Sequence, residues 1–323
     1  MNKEGIEKVR KPSVSVICPV FNAQNEILDF DRSLKKQKGV RLTDVIYVLT
    51  ESSDHTEDVM KAAGIPYKKI KRYAFSHSLV REKAGMSARG RILVFLTQDV
   101  EIRDENFLAK LVAPIVNGEV QAAYAKQETK YNNIEKYTRA HNYPNKSFIV
   151  SKADIERRGL KTFFFSDAAG AIDASVFRRL KGYDGKELPI SEDMYFAYKL
   201  IMHGGKIKYV ADAVVYHSHD FKLSELYDRY KLTGKFMKQN PEIAEHGVNS
   251  AGGGMAKSVL VGAIKDKNLR VLGGYVPNMA VRYAGMTRGK GLGKRGIKNK
   301  TSSDKEVERQ RGRAHVFMRR GVR

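Results

Sequence analysis

The sequence predicts an α/β protein built on an open, mostly parallel sheet. Over the first 125 of its 323 residues, short runs rich in β-branched residues alternate with amphipathic stretches of helical period, a pattern typical of βαβ units. With 42% hydrophobic and 29% charged residues, the chain can bury a core and lacks the composition of a disordered protein. Its length fits one large α/β domain with an appendage, or two ordinary domains.

The elements follow in order from this periodicity. Strands are expected at residues 14–20, 44–49, 67–71, 91–96 and 121–125, and helices at 25–36, 56–63, 76–88 and 105–116, with Ser76 as a helix cap. Residues 126–165 lack periodicity and predict loops and short helices over the sheet, where a variable substrate surface would lie. The pattern then resumes with a short strand from residue 168, helices at 174–180, 192–202 and 223–238, and a strand pair at 207–210 and 213–217.

The composition shifts after Pro241 towards Gly, Lys and Arg, and Gly252-Gly253-Gly254 is interpreted as a loop. We therefore predict an N-terminal arm at residues 1–12, a main domain at 13–240 and a basic C-terminal extension at 241–323.

Charge and cysteine usage limit the class of protein. The single cysteine, Cys18, excludes an internal disulfide and a zinc cage and favours a reducing compartment. No signal peptide or transmembrane run is apparent, so we expect a cytoplasmic protein. The net charge is +23, and residues 281–323 carry 14 Lys and Arg against 3 Asp and Glu. This basic tail predicts an anionic partner, whether nucleic acid, an anionic membrane leaflet or a phosphorylated substrate.

Three strand ends are candidate ligand positions, because open α/β sheets bind ligands at the carboxyl ends of their strands. They are Asn22, the turn at residues 51–54, and Asp99. Asp54 has two possible roles: its carboxylate accepts hydrogen bonds from a nucleobase and ribose, or it caps the following helix. Asp99 ends a buried strand, where a carboxylate either lies on a surface loop or binds a phosphate-bound Mg²⁺ or Mn²⁺.

Two motifs of titratable residues follow later in the chain. Glu192-Asp193 opens a helix, where negative charge is favoured by the helix dipole, or where a carboxylate serves as a general base. His217-Ser218-His219 ends a strand, and its two imidazoles point to the same face. They fit metal or phosphate ligands, or a polar strand end with no ligand.

In order along the chain, these positions lie in six strings with a common resemblance. The strings are Val16-Ile17-Cys18-Pro19-Val20-Phe21-Asn22, Glu51-Ser52-Ser53-Asp54, Phe75-Ser76-His77-Ser78-Leu79-Val80-Arg81, Phe95-Leu96-Thr97-Gln98-Asp99, Ser191-Glu192-Asp193 and Tyr216-His217-Ser218-His219. Together they resemble the landmarks of family 2 glycosyltransferases of the GT-A fold, over roughly residues 13–240. The third, fourth and sixth are most similar to bacterial rhamnosyltransferases that build surface polysaccharides.

The resemblance implies an open mixed sheet of GT-A type flanked by helices, with a basic helical C-terminal extension. It implies inverting transfer from a nucleotide-sugar, with dTDP-rhamnose as the expected donor, to a saccharide or lipid-linked saccharide acceptor. Asp193 would be the catalytic base with Glu192 beside it. Asp99 would hold Mg²⁺ or Mn²⁺, assisted by His217 or His219. The residues implied around the donor nucleotide are Pro19, Phe21, Asn22, Glu51, Asp54, Arg81 and Gln98.

The sequence departs from the family pattern in ways that keep alternatives open. Thr97-Gln98-Asp99 stands where the family usually has Asp-x-Asp, so either a histidine compensates or the metal is held loosely. Glu51 and Ser53 are also unusual, which leaves another nucleotide-sugar donor open. A nucleotidyltransferase would need a Gly-rich basic loop after the first strand, and Asn22-Ala23-Gln24-Asn25 does not supply it. A basic nucleic-acid-binding protein is the alternative from a different class, although we expect no nucleic-acid partner.

The basic tail is expected to lie on the anionic inner face of the cell membrane. Residues 276–290 have a modest amphipathic pattern that includes Arg282, and dense Lys and Arg continue to Arg323. Peripheral docking of this kind would hold the protein near a lipid-linked acceptor. The alternative is a solubilising tail without a partner.

Overall fold

The computed structural model describes residues 11–292, with side chains for all of these except 248–252 and 292. The strands are β1 (Ser13–Val20), β2 (Arg41–Thr50), β3 (Tyr67–Ile70), β4 (Ile92–Leu96), β5 (Val100–Glu101), β6 (Ala122–Glu128), β7 (Phe148–Val150), β8 (Ala169–Asp173) and β9 (Ile207–His217). The α-helices are α1 (Ile27–Lys35), α2 (Thr56–Ala62), α3 (His77–Ser87), α4 (Phe107–Val116), α5 (Ile134–Asn142), α6 (Ile155–Arg158), α7 (Ala174–Arg179), α8 (Glu192–Met202), α9 (Leu223–Gln239), α10 (Pro241–Ala244), α11 (Val248–Lys265) and α12 (Leu269–Leu292). Short 3-10 helices span Arg72–Ala74, Lys152–Asp154 and Gly159–Phe163.

The first half of the sheet is parallel, as the sequence predicts. β1 pairs with β2 on one side and with β4 on the other, and β3 extends the sheet beyond β2. Ser76 caps α3, because its hydroxyl accepts a hydrogen bond from the backbone N–H of Leu79 at 3.5 Å. Since these four strands run in the same direction, their carboxyl ends lie along one edge of the sheet.

The second half of the sheet is mixed. β8 lies antiparallel between β4 and β6, while β9 runs parallel to β6 and antiparallel to β5 and β7. The strand expected at 121–125 therefore pairs with strands from later in the chain, and β6 continues to Glu128. The expected strand pair at 207–210 and 213–217 is a single strand, β9, whose register against β6 shifts between Ala125 and Lys126. This is the open mixed sheet that the family resemblance implied.

Both faces of the sheet are covered by apolar residues. On one face, Phe30 and Leu34 of α1 and Leu111 of α4 belong to one buried cluster. On the other face, Phe177 of α7 and Phe196 of α8 belong to a second cluster. Strands covered on both faces are continuously apolar, which explains why β1 and β4 are easy to recognise in the sequence.

The helices after residue 240 pack against the main domain. Val259 and Ala263 of α11 lie in a buried cluster with Tyr137 of α5. The prediction of a loop at Gly252-Gly253-Gly254 is wrong, because these residues belong to α11. Tertiary packing overrides the low helix propensity of glycine here. A Cβ atom on Gly262 would lie 2.6 Å from the Tyr137 ring, so glycine allows the close approach of α11 to α5.

α12 departs from the expected amphipathic pattern at Arg282. Its side chain is buried, with Nε donating to Asn278 at 2.7 Å and Nη1 donating to the Tyr230 hydroxyl at 2.5 Å. Arg282 therefore joins α12 to α9 rather than facing outwards. Within residues 11–292, no helix is both long and apolar enough to cross a membrane. The basic stretch expected from residue 293 to Arg323 lies outside the described residues, and the three-part division of the chain stays a prediction.

Candidate active site

The candidate site lies at the edge where the parallel strands end. Asn22 follows β1, the turn at residues 51–54 follows β2, and Asp99 lies between β4 and β5. The short antiparallel pairing of β5 with β9 places Val100 opposite His217. That pairing brings His217 at the end of β9, and His219 two residues later, to Asp99, which lies more than 110 residues earlier in the chain.

Asp99, His217 and His219, which the family resemblance assigned to one cation site, form one cluster, and their binding of an ion stays a prediction. Each offers a ligand atom, and these atoms lie within 4.8 Å of one another. Oδ2 of Asp99 lies 3.3 Å from Nε2 of His217. An Nε2 lone pair would face the carboxylate unfavourably across this distance, so either a proton on Nε2 or a metal ion is needed between the two atoms. Adjacent ligands about 2.1 Å from one ion are roughly 3 Å apart, which fits the observed spacing.

The electrostatics of the cluster suit a cation. Burial opposes ionisation of Asp99, yet the His217 imidazole holds the pKa of its carboxyl well below the ordinary value. Burial lowers the pKa of the His219 imidazole well below its ordinary value, and His217 acts in the same direction. His219 is therefore neutral near pH 7, with a lone pair available to a metal ion. One ionised carboxylate and two imidazole nitrogens form a ligand set that could hold a divalent cation.

A second cluster surrounds the buried guanidinium of Arg81 on α3. Nη1 of Arg81 donates to Oε1 of Glu192 at 3.0 Å, and Nε lies 4.0 Å from Oδ2 of Asp167. The Tyr183 hydroxyl donates to the same Asp167 oxygen at 2.6 Å. These contacts place Arg81 among the acids that precede β8 and open α8, and its expected contact with the nucleotide stays a prediction.

Asp193 differs from its neighbours in how it is engaged. Its Oδ1 accepts the backbone N–H of Met194 at 2.7 Å, whereas Glu192 and Asp167 face Arg81. Burial raises the pKa of the Asp193 carboxyl well above the ordinary value, and the charges of Glu192 and Asp167 add to the shift. A half-buried carboxyl with a raised pKa has the basicity that proton abstraction requires.

The acids on α8 are positioned by an unusual backbone turn. Ser191, the residue before the helix, has φ of +62°, a left-handed conformation that is uncommon for a non-glycine residue. Ser191 ends the loop at 182–190, and Glu192 and Asp193 form the first turn of α8 directly after it. The helix dipole favours negative charge at this position.

The β1–α1 loop is fixed by side chains that the sequence assigned to the nucleotide. Gln98 bridges the backbone of Phe21: its Oε1 accepts the Phe21 N–H, and its Nε2 donates to the Phe21 carbonyl, both at 2.6 Å. Oδ1 of Asp54 accepts from the N–H and hydroxyl of Thr56, and Oδ2 accepts the Gln24 N–H at 3.3 Å. Both side chains thus have structural roles, and their ligand contacts stay predictions.

The remaining residues of the expected nucleotide site lie along the same loop. Asn22 has φ of +49°, and its Oδ1 accepts the Ser53 N–H at 2.9 Å, which joins the ends of β1 and β2. The side chains of Pro19 and Phe21 are buried, so a ligand would meet this segment through its backbone. Glu51 is half-buried and pairs with Lys71 at 3.2 Å.

Three residues of the site were missed by the sequence interpretation. Arg72 lies over the Phe21 ring, 5.3 Å from its centroid, and donates to the Glu51 carbonyl. It follows β3, so the rule that ligands bind at strand ends would have identified it. Gln127 and Arg139 contact each other beside His217. No periodic signal marks them, because they lie in the region interpreted as loops.

Comparison with known proteins identifies a family and two similar proteins. A family profile described as glycosyl transferase family 2 matches residues 15–181. The chain is 32% identical over 247 residues to the O-antigen chain rhamnosyltransferase RfbN of Salmonella typhimurium, covering 74% of this chain and 77% of that protein. It is 31% identical over 246 residues to the O-antigen chain rhamnosyltransferase WbaN of Salmonella anatum, covering 75% and 77%.

Among solved structures, the fold is similar to that of the mannosyltransferase PcManGT from Pyrobaculum calidifontis, solved in complex with GDP-Man and Mn²⁺. The TM-score is 0.58 at 15% identity, with 87% of this chain and 88% of that chain covered. At this identity the likeness concerns the fold, in which a curled mixed sheet is flanked by helices.

Proposed function

The chain belongs to glycosyl transferase family 2 and has the GT-A fold, and from this premise we propose that it transfers L-rhamnose from dTDP-rhamnose to a growing O-antigen-type saccharide. The names of the two Salmonella relatives support the sugar and the acceptor class. One observation carries the catalytic assignment: Glu192 and Asp167 face the Arg81 guanidinium, whereas Asp193, whose pKa is raised, accepts the backbone N–H of Met194 at the start of α8. Gln127 donates a hydrogen bond to the hydroxyl of Ser166, the neighbour of Asp167, and its Oε1 is hydrogen-bonded to His217. The cluster around Arg81 and the cluster around Asp99 are therefore contiguous.

In the proposed reaction, an acceptor hydroxyl attacks the anomeric carbon of the donor. Its proton passes to the Asp193 carboxylate while the bond from that carbon to the diphosphate oxygen breaks, so the configuration inverts and a nucleoside diphosphate leaves. Glu192 and Asp167 are held by Arg81, which leaves Asp193 as the base. Asp99, His217 and His219 would hold Mn²⁺, which supplies positive charge against the leaving diphosphate. We favour Mn²⁺ over Mg²⁺ because Mg²⁺ takes oxygen ligands, whereas two of the three ligands here are imidazoles.

Donor turnover and ligand binding test this proposal. The full-length protein is incubated with dTDP-rhamnose, UDP-glucose and GDP-mannose, each with Mn²⁺ and with EDTA, and the release of nucleoside diphosphate is measured, with water as the acceptor of the sugar. Turnover of dTDP-rhamnose that requires Mn²⁺ is the expected result. A thermal-shift series with the three nucleoside diphosphates gives an independent measure of binding, because a ligand of the folded state raises its stability. Preference for UDP-glucose or GDP-mannose would reject the donor assignment.

We also propose peripheral docking on an anionic membrane, through the outer face of α12. Leu269, Val276 and Tyr283 recur every seven residues on this helix and are 79%, 70% and 76% exposed. Residues 269–292 contain no acidic residue and carry exposed Arg270 and Arg288. Such a face combines apolar contact with attraction to anionic lipid, worth about 1 kcal/mol for each basic residue near the surface.

Liposome sedimentation at 0.1 M salt tests the docking face. The full-length protein is expected to sediment with phosphatidylglycerol vesicles and not with phosphatidylcholine vesicles. The double substitution Val276→Asp and Tyr283→Asp should abolish this binding, whereas Tyr73→Asp, which changes an exposed aromatic residue outside α12, should leave it intact. Equal binding by all three proteins would reject the assigned face.

A further inference from the structure

Gln127 has a hydrogen-bond arrangement that links it to the candidate metal site. It lies near the end of β6, in parallel register with Val215 of β9, and its side chain is only 3% exposed. Its Oε1 lies 2.6 Å from Nη1 of Arg139 and 2.9 Å from Nδ1 of His217, and its Nε2 donates to the Ser166 hydroxyl at 2.8 Å. Three of its neighbours therefore come from separate segments of the chain.

Arg139 determines the orientation of the Gln127 side-chain amide. A guanidinium has only donors, so the atom of Gln127 that faces it must be the carbonyl oxygen. Arg139 is itself only 8% exposed and reaches Gln127 from α5, a helix anchored at its start by Asn133, whose Nδ2 donates to the His219 carbonyl at 3.0 Å. The amide orientation is thus set by a chemical constraint.

The same oxygen determines the tautomer of His217. Because Oε1 of Gln127 is an acceptor, Nδ1 of His217 must carry a proton. In the neutral imidazole the lone pair then lies on Nε2, the atom that is 3.3 Å from the Asp99 carboxylate. We propose that Gln127, oriented by Arg139, is a positioning residue that fixes the Nδ1–H tautomer of His217 and directs Nε2 to the divalent cation. This inference rests on the cation site of the proposed function.

The hydrogen bond from Gln127 to Ser166 links the two sides of the site. Ser166 directly precedes Asp167, whose carboxylate meets Tyr183 and Arg81 in the acidic cluster. The oxygen of the Gln127 amide therefore contacts the metal side of the site, and the nitrogen contacts the segment that carries the acids. A residue that only filled space at this position would need neither polar end.

Mn²⁺ titrations of the full-length protein by calorimetry test the inference. Gln127→Met keeps the length of the side chain but removes its acceptor, and should weaken Mn²⁺ binding by about 10–100-fold, the usual effect of losing a partner of a metal-binding histidine. Gln127→Glu keeps an acceptor for both Arg139 and His217, and should retain Mn²⁺ affinity within about threefold of wild type. Gln121→Met is the matched control, because it changes the same residue type just before the start of β6, roughly 20 Å from position 127.

Long-range ¹H–¹⁵N spectra of ¹⁵N-histidine-labelled protein provide a readout separate from activity. The His217 signals, assigned by their loss in His217→Gln, should show a protonated Nδ1 in wild type and Gln127→Glu, and a mixture of tautomers in Gln127→Met. Wild-type Mn²⁺ affinity in Gln127→Met, or the Nε2–H tautomer in the neutral wild-type imidazole, would overturn the inference. Thermal unfolding of each variant separates loss of the site from loss of the fold.

The outcomes also separate this inference from the proposed function. If wild type binds Mn²⁺, Gln127→Met binds it about 10–100-fold more weakly, and no nucleotide-sugar is turned over, the positioning role stands and the proposed reaction fails. If Mn²⁺-dependent turnover occurs and Gln127→Met binds Mn²⁺ as wild type does, the reaction stands and the positioning role fails. A wild type that binds no Mn²⁺ overturns both the cation site and the role assigned to Gln127.

Discussion

The Arg81 guanidinium lies 3.0 Å from the carboxylate of Glu192, and the two residues are 2% and 7% exposed. The pair joins α3 of the parallel half of the sheet to the first turn of α8. A buried ion pair of this kind contributes less to stability than its short distance suggests, because both charges lose hydration. Its clearer consequence is positional, since it holds the start of α8, and with it Asp193, in a defined place.

Removal of Arg81 should therefore cost both stability and activity. Arg81→Met keeps much of the side-chain volume but leaves Glu192 and Asp167 without their cation, so we expect the free energy of unfolding to fall by about 3–5 kcal/mol. Urea denaturation measures this change. Arg89→Met, which alters an exposed arginine paired with Asp44, is the control and should cost less than about 1 kcal/mol. Equal losses in the two variants would contradict a buried charge cluster.

Asp193→Asn tests the base. The amide keeps the shape of the side chain but cannot take a proton, so turnover should fall by roughly 10²- to 10⁴-fold, while donor binding measured by calorimetry changes little. Glu192→Gln is the informative comparison, because it weakens the contact with Arg81 and should affect stability as well as turnover. Near-normal turnover in Asp193→Asn would transfer the role to Glu192 or Asp167.

Asp99→Ala tests the cation site. Without its carboxylate, the two histidines alone should hold Mn²⁺ weakly, so the effect of Mn²⁺ on nucleoside diphosphate affinity should disappear. Calorimetric titration with and without Mn²⁺ measures this difference. Asp212→Ala changes an exposed aspartate in β9 and should behave as wild type. The assignment is wrong if Asp99→Ala retains metal-dependent nucleotide binding.

Asp167 should make stability depend on pH. Burial raises the pKa of its carboxyl to about 7, with Arg81 opposing the shift and Glu192 adding to it. Between the unfolded pKa of about 3.9 and this value, the unfolded chain binds fewer protons than the folded protein, so stability falls as pH rises. The contribution is fully present below about pH 4 and is lost as pH rises through about 7, at up to about 1.4 kcal/mol per pH unit.

Urea denaturation from pH 4.5 to 7 compares wild type with Asp167→Asn. The asparagine cannot ionise and can still accept the Tyr183 hydroxyl, so the variant should gain stability relative to wild type as pH rises. Asp29→Asn changes a carboxylate whose side chain is 79% exposed and should leave the slope unaltered. A pH-independent difference between wild type and Asp167→Asn would show that Asp167 ionises normally.

The sequence predicted the parallel half of the fold and the polar ends of its strands, because both depend on local signals. β4 is an uninterrupted apolar run, β1 is a largely apolar one, and Asp99 lies three residues after the end of β4. The order of the strands depends on long-range pairing, so nothing local to β6 indicated that β8 would lie between it and β4. Gln127 lay beyond the predicted strand end at Ala125, and its role depends on partners that only the folded chain brings together.

The close contact between α9 and α12 depends on glycine residues in α12. A Cβ on Gly289 would overlap the backbone oxygen of Lys231, and one on Gly285 would lie 2.5 Å from the backbone oxygen of Tyr227. Gly289→Ala should therefore force the helices apart and lower the free energy of unfolding by about 1–3 kcal/mol, with faster amide hydrogen exchange in α12. Gly274→Ala, on the same helix with no atom within 4 Å of the new Cβ, should instead raise stability by about 0.5–1 kcal/mol through helix propensity. If both substitutions stabilise the protein, α12 does not pack on α9 in solution as closely as the structure has it.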